Sequence, residues 1–132
     1  MRTLLIIALI ASTIFAKSYK DFAKDMNYET SYEVALEKAK KEKKDIMFFL
    51  VANFCPWCIK FEKRVLSKKN IDIKIHKKYI PLIINREEKK FPEVFNSAVV
   101  PTIHFVDYKT AKIKKTIIGY NKKSEFIDII TK

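Results

Sequence analysis

Cysteine, glycine and tryptophan are the scarce residues of this chain: two, one and one in 132 positions. With only Cys55 and Cys58 available, no framework of disulfides can staple the fold, although a single bridge remains open. A pair of thiols cannot by itself close a four-ligand zinc site. The two histidines, His76 and His104, stand far apart with no ligand spacing, so no metal and no cofactor is expected. Both histidines read as surface or half-buried side chains. The lone glycine, Gly119, marks a turn or bulge that needs its backbone freedom. Internal repeats, low-complexity linkers and a second domain are absent, and the length suits one domain with a real core.

Acids are also in short supply. Lys and Arg outnumber Asp and Glu by 27 to 15, a formal net charge of +12. Clustered, that charge would point to nucleic acid or an anionic membrane. Here the lysines are scattered over presumed helix faces and turns, from Lys38 to Lys123, without interleaved aromatics. They read as a solvated surface, so no nucleic-acid partner is expected.

Residues 1–16 read as a signal peptide. Arg2 supplies the positive start, Leu4 to Ile10 the apolar centre, and Ser12 to Ala16 a cleavage region. The apolar run is interrupted by Thr13 and falls short of the roughly 20 residues that span a bilayer. An uncleaved membrane anchor is the alternative; otherwise no membrane span remains. No cysteine stands at the junction to carry a lipid. Residues 17–29 read as an extended N-terminal arm and residues 30–132 as the folded domain.

The chemistry concentrates in Asn53-Phe54-Cys55-Pro56-Trp57-Cys58. An apolar run over residues 46–52 precedes it, apolar on both faces as a covered central strand would be. Helical spacing follows, with Cys58, Phe61 and Val65 on one face. Cys55 then stands at a helix start, where unpaired N–H groups and the helix dipole favour a thiolate. Pro56 suits the first helical position because it has no N–H to leave unpaired. Cys58 lies one turn in, placed to resolve a mixed disulfide on Cys55. A structural disulfide and a metal site are the competing readings; so small a loop would constrain the unfolded chain little.

The hydrophobic strand leading into Phe54-Cys55-Pro56-Trp57-Cys58, the later Val100-Pro101-Thr102, and the ending in Gly119 and a last helix resemble the thioredoxin superfamily. More narrowly, the chain resembles the exported bacterial thioredoxin-like proteins of periplasmic disulfide systems. The resemblance covers residues 30–132. It implies an α/β, three-layer thioredoxin-like fold: a central mixed β-sheet flanked by helices, with an extra N-terminal helix. It implies a periplasmic thiol–disulfide oxidoreductase of the reductase type, with Cys55 and Cys58 catalytic. A non-catalytic binding module and a disulfide oxidase or isomerase remain as alternatives. The partners implied are protein thiols and disulfides and a redox partner protein, met by a monomer. Trp57, Val100, Pro101 and Thr102 fall at the substrate side, and the Val100–Pro101 bond is expected to be cis. Phe54 matches an aromatic position that could shield the sulfur. One departure stands out. The strand position that usually carries a buried acid is Phe49. Glu62, one turn beyond Cys58 on the same helical face, is the candidate for proton transfer in its place. A surface Glu paired with lysines is the plainer reading.

The remaining elements follow in order. Thr30-Ser31-Tyr32-Glu33 reads as a capping box opening a helix that ends near Lys44. Ile71, Ile73 and Ile75 alternate as in a strand, but the resemblance places a helix over 70–78, followed by a strand over 79–85. Pro81 marks that strand as an edge or a start. A short helix is expected over 91–97, strands over 102–107 and 112–118, and a helix over 124–131.

Overall fold

Every residue of β1 (Asp45–Val51) after Asp45 is buried, so this strand is the spine of the molecule. The computed structural model describes residues 18–132; the expected signal peptide at 1–16 lies outside them. β1 pairs in parallel with β2 (Tyr79–Asn85) and antiparallel with β3 (Thr102–Val106). β3 continues antiparallel to β4 (Ile113–Ile118), giving a mixed four-stranded sheet in the order β2-β1-β3-β4.

Alternation along β1 divides the core. Met47, Phe49 and Val51 face the layer that contains both cysteines, Phe61 and Phe126. Ile46, Phe48 and Leu50 face Tyr32, Ala35 and Ala39 of α2 (Tyr32–Glu42). Burying each large side chain contributes about 1.5–3 kcal/mol. The first layer is built by α1 (Tyr19–Met26), α3 (Pro56–Phe61), α4 (Lys69–Lys78) and α5 (Lys123–Thr131). After α3 the helix continues as a π turn, Glu62–Leu66. In α4 the helical spacing puts Ile71 and Ile75 inward and leaves Ile73 in solvent, which is why three alternating isoleucines resemble a strand.

β2 is an edge strand, as Pro81 suggests. Glu29 runs along its outer side: the Glu29 N–H donates to the Pro81 carbonyl (2.9 Å) and the Ile83 N–H to the Glu29 carbonyl (2.9 Å). The missing N–H of Pro81 therefore faces the outer edge and costs the sheet nothing.

Four expectations need correction. The segment after residue 17 is not an extended arm: Tyr19–Met26 is a helix. Ser18 and Asp21 close its capping box, and Phe22 packs edge-to-face on Tyr28 at 5.1 Å. The next helix is capped by Ser31, whose hydroxyl accepts from the Val34 N–H, and Glu33 takes a hydrogen bond from that hydroxyl instead of reaching back to the backbone. His104 is not a surface residue. It is 4% exposed in the middle of β3, with Nδ1 2.8 Å from the Thr116 hydroxyl and Nε2 2.9 Å from the Phe95 carbonyl. The short helix expected over 91–97 is a single 3-10 turn, Glu93–Phe95.

Candidate active site

The chain leaves β1 at Val51 and turns sharply before α3. Asn53 anchors the turn: its side-chain oxygen accepts from Asn85 (2.7 Å) and its N–H donates to Glu87 (3.2 Å). Phe54 follows in the left-handed region, φ 52°. That conformation costs a residue with a Cβ about 1–2 kcal/mol. The reversal sets Cys55 at the N-cap of α3 and throws the Phe54 ring fully into solvent. The ring stands at the rim and does not cover the sulfur.

Cys55 and Cys58 form a disulfide with their Cα atoms 5.2 Å apart. The Cys58 N–H donates to Cys55 Sγ at 3.2 Å. Pro56 occupies the first turn of α3. Cys55 retains 8% of its surface and Cys58 only 2%, so Cys55 is the more exposed of the pair. Trp57, between them, is 53% exposed. Its ring lies 5.5 Å from that of Tyr120, and Lys60 Nζ sits 4.3 Å from the indole centroid.

A groove of about 570 Å³ runs beside the pair. Both cysteines, Phe54, Ile59 and Glu62 line it. Glu62 is half-buried there, so the carboxylate singled out by helical spacing does share a cavity with the thiol it would serve. Phe49 lies under the site, wholly buried, with its ring 5.7 Å from Phe61. Ser18, the N-cap of the first helix, and Tyr19 and Lys20 of that helix also line the groove, a wall that the sequence pattern does not announce. The Tyr19 hydroxyl donates to Glu88, and burial together with that acid raises its pKa. The signal that could have found this wall is the Ser18–Asp21 capping pair.

On the β3 side the Val100–Pro101 peptide is cis. Val100 is half-buried against both core layers, and the Pro101 carbonyl accepts from the Gly119 N–H (2.8 Å). Gly119 has φ 86°, which is where a chain lacking other glycines needs one. The Thr102 hydroxyl donates inward to the Val99 carbonyl (2.7 Å), so its side chain braces the loop. Among the described residues no group of three or more His, Cys, Asp or Glu is placed to hold a metal.

Comparison with known proteins adds three findings. A family model described as a thioredoxin-like domain matches residues 32–132. An uncharacterized protein of Borreliella burgdorferi is 29% identical over 119 residues, 90% of this chain. The chain spans about half the length of that relative, 52%. Among solved structures, a thioredoxin from Thermus thermophilus has a TM-score of 0.68 at 18% identity, covering 79% of this chain and 84% of its own. One titled DsbH oxidoreductase has a TM-score of 0.67 at 16% identity, with 78% and 81% covered. The oxidised C-terminal domain of DsbD from Neisseria meningitidis has a TM-score of 0.59 at 16% identity, with 78% and 97% covered. At these identities the structures speak for the fold.

Proposed function

The chain belongs to the thioredoxin-like family, and from that premise we propose that it is a thiol–disulfide oxidoreductase working in the periplasm as a reductase. The observation that carries this reading is the position of Cys55 Sγ: at the N-cap of a helix, bonded to Cys58, with the Cys58 N–H directed at it.

In the reduced chain, the Cys55 thiolate attacks one sulfur of a target disulfide. A Cys55–target bond forms and the other target sulfur leaves as a thiolate. Cys58, deprotonated with Glu62 receiving the proton, then attacks Cys55 Sγ. The Cys55–Cys58 bond forms and the second target thiolate departs. Two electrons pass to the target, and a redox partner protein returns two to the pair. Val100 and Pro101, on the β3 side and apart from the groove lining, offer backbone to an extended target segment, and Trp57 contacts it. Thr102 acts on that surface by bracing the Val99 carbonyl.

Rates of exchange with a model peptide disulfide test the reading. Cys55→Ser is expected to lose activity by a factor on the order of a hundred or more, because the attacking thiolate is gone. Equal rates in the two chains reject it. Equilibration against glutathione buffers fixes the direction: a low potential supports a reductase, a high one an oxidase or isomerase.

A second reading, a binding module that uses the same groove without turnover, is favoured by Phe49, which leaves the pair with no carboxylate beneath it on β1. An inert, strongly reducing-resistant disulfide would support that reading. No helix among the described residues is long and apolar enough to cross a membrane. Export through the signal at 1–16 is tested by the N-terminus of the mature chain: a start near residue 17 supports cleavage, a start at Met1 an anchor.

A further inference from the structure

The turn Arg86–Glu88, just past β2, reaches both halves of the site. On one side, Arg86 Nη1 donates to the carbonyls of Ser97 (3.1 Å) and Ala98 (2.7 Å). Those residues lead directly into Val99, Val100 and Pro101. On the other side, Glu87 Oε2 accepts from the Asn53 N–H (3.2 Å), two positions before Cys55. The two side chains meet: Arg86 Nε lies 3.6 Å from Glu87 Oε1. A continuous line of polar contacts therefore runs from the loop before Pro101, through a guanidinium and a carboxylate, to the loop before Cys55.

We propose that the Arg86–Glu87 pair is a strut that sets the spacing between the attacking sulfur and the Val100 segment, making both residues positioning residues for an extended peptide substrate. This rests on the oxidoreductase reading. Three features support it. The strut's ends are backbone groups of the two loops, so moving it moves the main chain. Charge-assisted bonds to carbonyls hold more tightly than neutral ones. The Arg86–Glu87 contact itself is long and partly exposed, and such pairs contribute little to stability. Its effect is therefore expected on the alignment of substrate more than on folding. Reacting groups misplaced by about 1 Å can lose up to a hundred-fold in rate.

The experiment compares Arg86→Gln, Glu87→Gln and the double variant with the parent chain on two substrates. One is a peptide disulfide that must lie across both loops. The other is a small aromatic disulfide that needs only the sulfur. Expected are a fall of roughly ten-fold in kcat/KM for the peptide, carried mainly by kcat, and a change within about two-fold for the small disulfide. The double variant should lose no more than the worse single one, because both cut one strut. Unchanged peptide exchange overturns the proposal, as does an equal fall on both substrates, which would mark general loosening. If the parent chain exchanges neither substrate, the oxidoreductase reading has failed, and the strut is judged on amide hydrogen exchange. Arg86→Gln should then speed exchange of the Asn53 N–H, across the strut from the mutation; no change there overturns it.

Discussion

The Cys58 N–H points at Cys55 Sγ from 3.2 Å, so the first turn of α3 is closed by a sulfur where other helices use a hydroxyl or a carboxylate. The donor belongs to the backbone, so reduction of the disulfide does not remove it. It then meets a thiolate, which gains from the hydrogen bond and from the helix dipole. The reduced Cys55 thiol is expected to ionise below the ordinary value of about 8.5. The check is the pH dependence of its alkylation in Cys58→Ser, which keeps the N–H. The same variant should accumulate mixed disulfides with targets, since nothing resolves them. A midpoint at or above the ordinary thiol value would remove the basis for attack at neutral pH.

Glu62 shares the groove with Cys58, and its charge also reaches the buried Tyr28, whose pKa is raised first by burial and then by Asp72 and Glu62. If Glu62 accepts the Cys58 proton, it matters to the release step and not to the first attack. Glu62→Gln is expected to slow release from the Cys55 mixed disulfide roughly ten-fold or more. Stopped-flow separation of the two steps checks this. Identical pH profiles in both chains would assign the proton elsewhere.

Phe49 is a ring in full contact, packed edge-on against Phe61. Phe49→Ala should cost about 3–5 kcal/mol through lost burial and a cavity. Phe49→Asp should cost more at pH 7, because an unpaired carboxylate is added to the same space, and should recover part of the loss as the acid protonates. Denaturant midpoints at two pH values measure both. An Asp variant no weaker than the Ala variant at pH 7 would mean that water or a cation already reaches this layer.

The elements visible in the sequence are those fixed by local pattern. β1 announces itself by an unbroken apolar run, and the Cys-Pro-Trp-Cys turn by its place between that run and a helical repeat. What was hidden depends on distant partners. α1 has eight residues and buries only Phe22 and Ala23, too few to print a periodicity, and its groove wall exists because Tyr19 meets Glu88 from far along the chain. His104 looks like any polar residue on a strand until Thr116 and the Phe95 carbonyl supply its partners. Two adjacent hydroxyls, Thr30 and Ser31, left the cap ambiguous by one position. The Phe54 ring points outward because of a backbone dihedral that composition does not reveal.

The buried His104 gives stability a pH dependence with a definite sign. Its Nε2 faces a carbonyl, which only accepts, so Nε2 carries the hydrogen and Nδ1 accepts from the Thr116 hydroxyl. Burial lowers its pKa, against a smaller opposing contribution from the Phe95 carbonyl. Well above pH 6.5 neither state is protonated and the histidine adds no pH dependence. As pH falls through that value the unfolded chain takes a proton that the folded chain refuses, so stability drops until the folded pKa is reached. The slope approaches about 1.4 kcal/mol per pH unit within that window. Urea midpoints from pH 7.5 to 5 should show it, and His104→Gln should flatten it. A slope unaffected by the substitution would place the titration on another group.

Trp57 is the only tryptophan, so its emission reports the site alone. Two neighbours hold it. Tyr120 lies 5.5 Å from it, and Tyr120 in turn packs on Phe61 at 5.7 Å. Lys60 Nζ lies 4.3 Å from the indole centroid and 5.5 Å from that of Tyr120. An ammonium over an aromatic face at a partly exposed site is worth about 0.5–1 kcal/mol. That is small against the stability of the fold but enough to set the population of one ring orientation. Lys60→Ala should therefore leave the unfolding midpoint nearly unchanged while lowering the fluorescence anisotropy of Trp57. Tyr120→Ala should do both, since it also opens the contact with Phe61. If the ring meets the target as a fixed surface, Lys60→Ala should raise KM for a peptide disulfide by about two- to five-fold and leave kcat alone, the pattern of a lost uniform contact. Anisotropy that falls without any change in KM would show that the indole is held for packing and takes no part in docking.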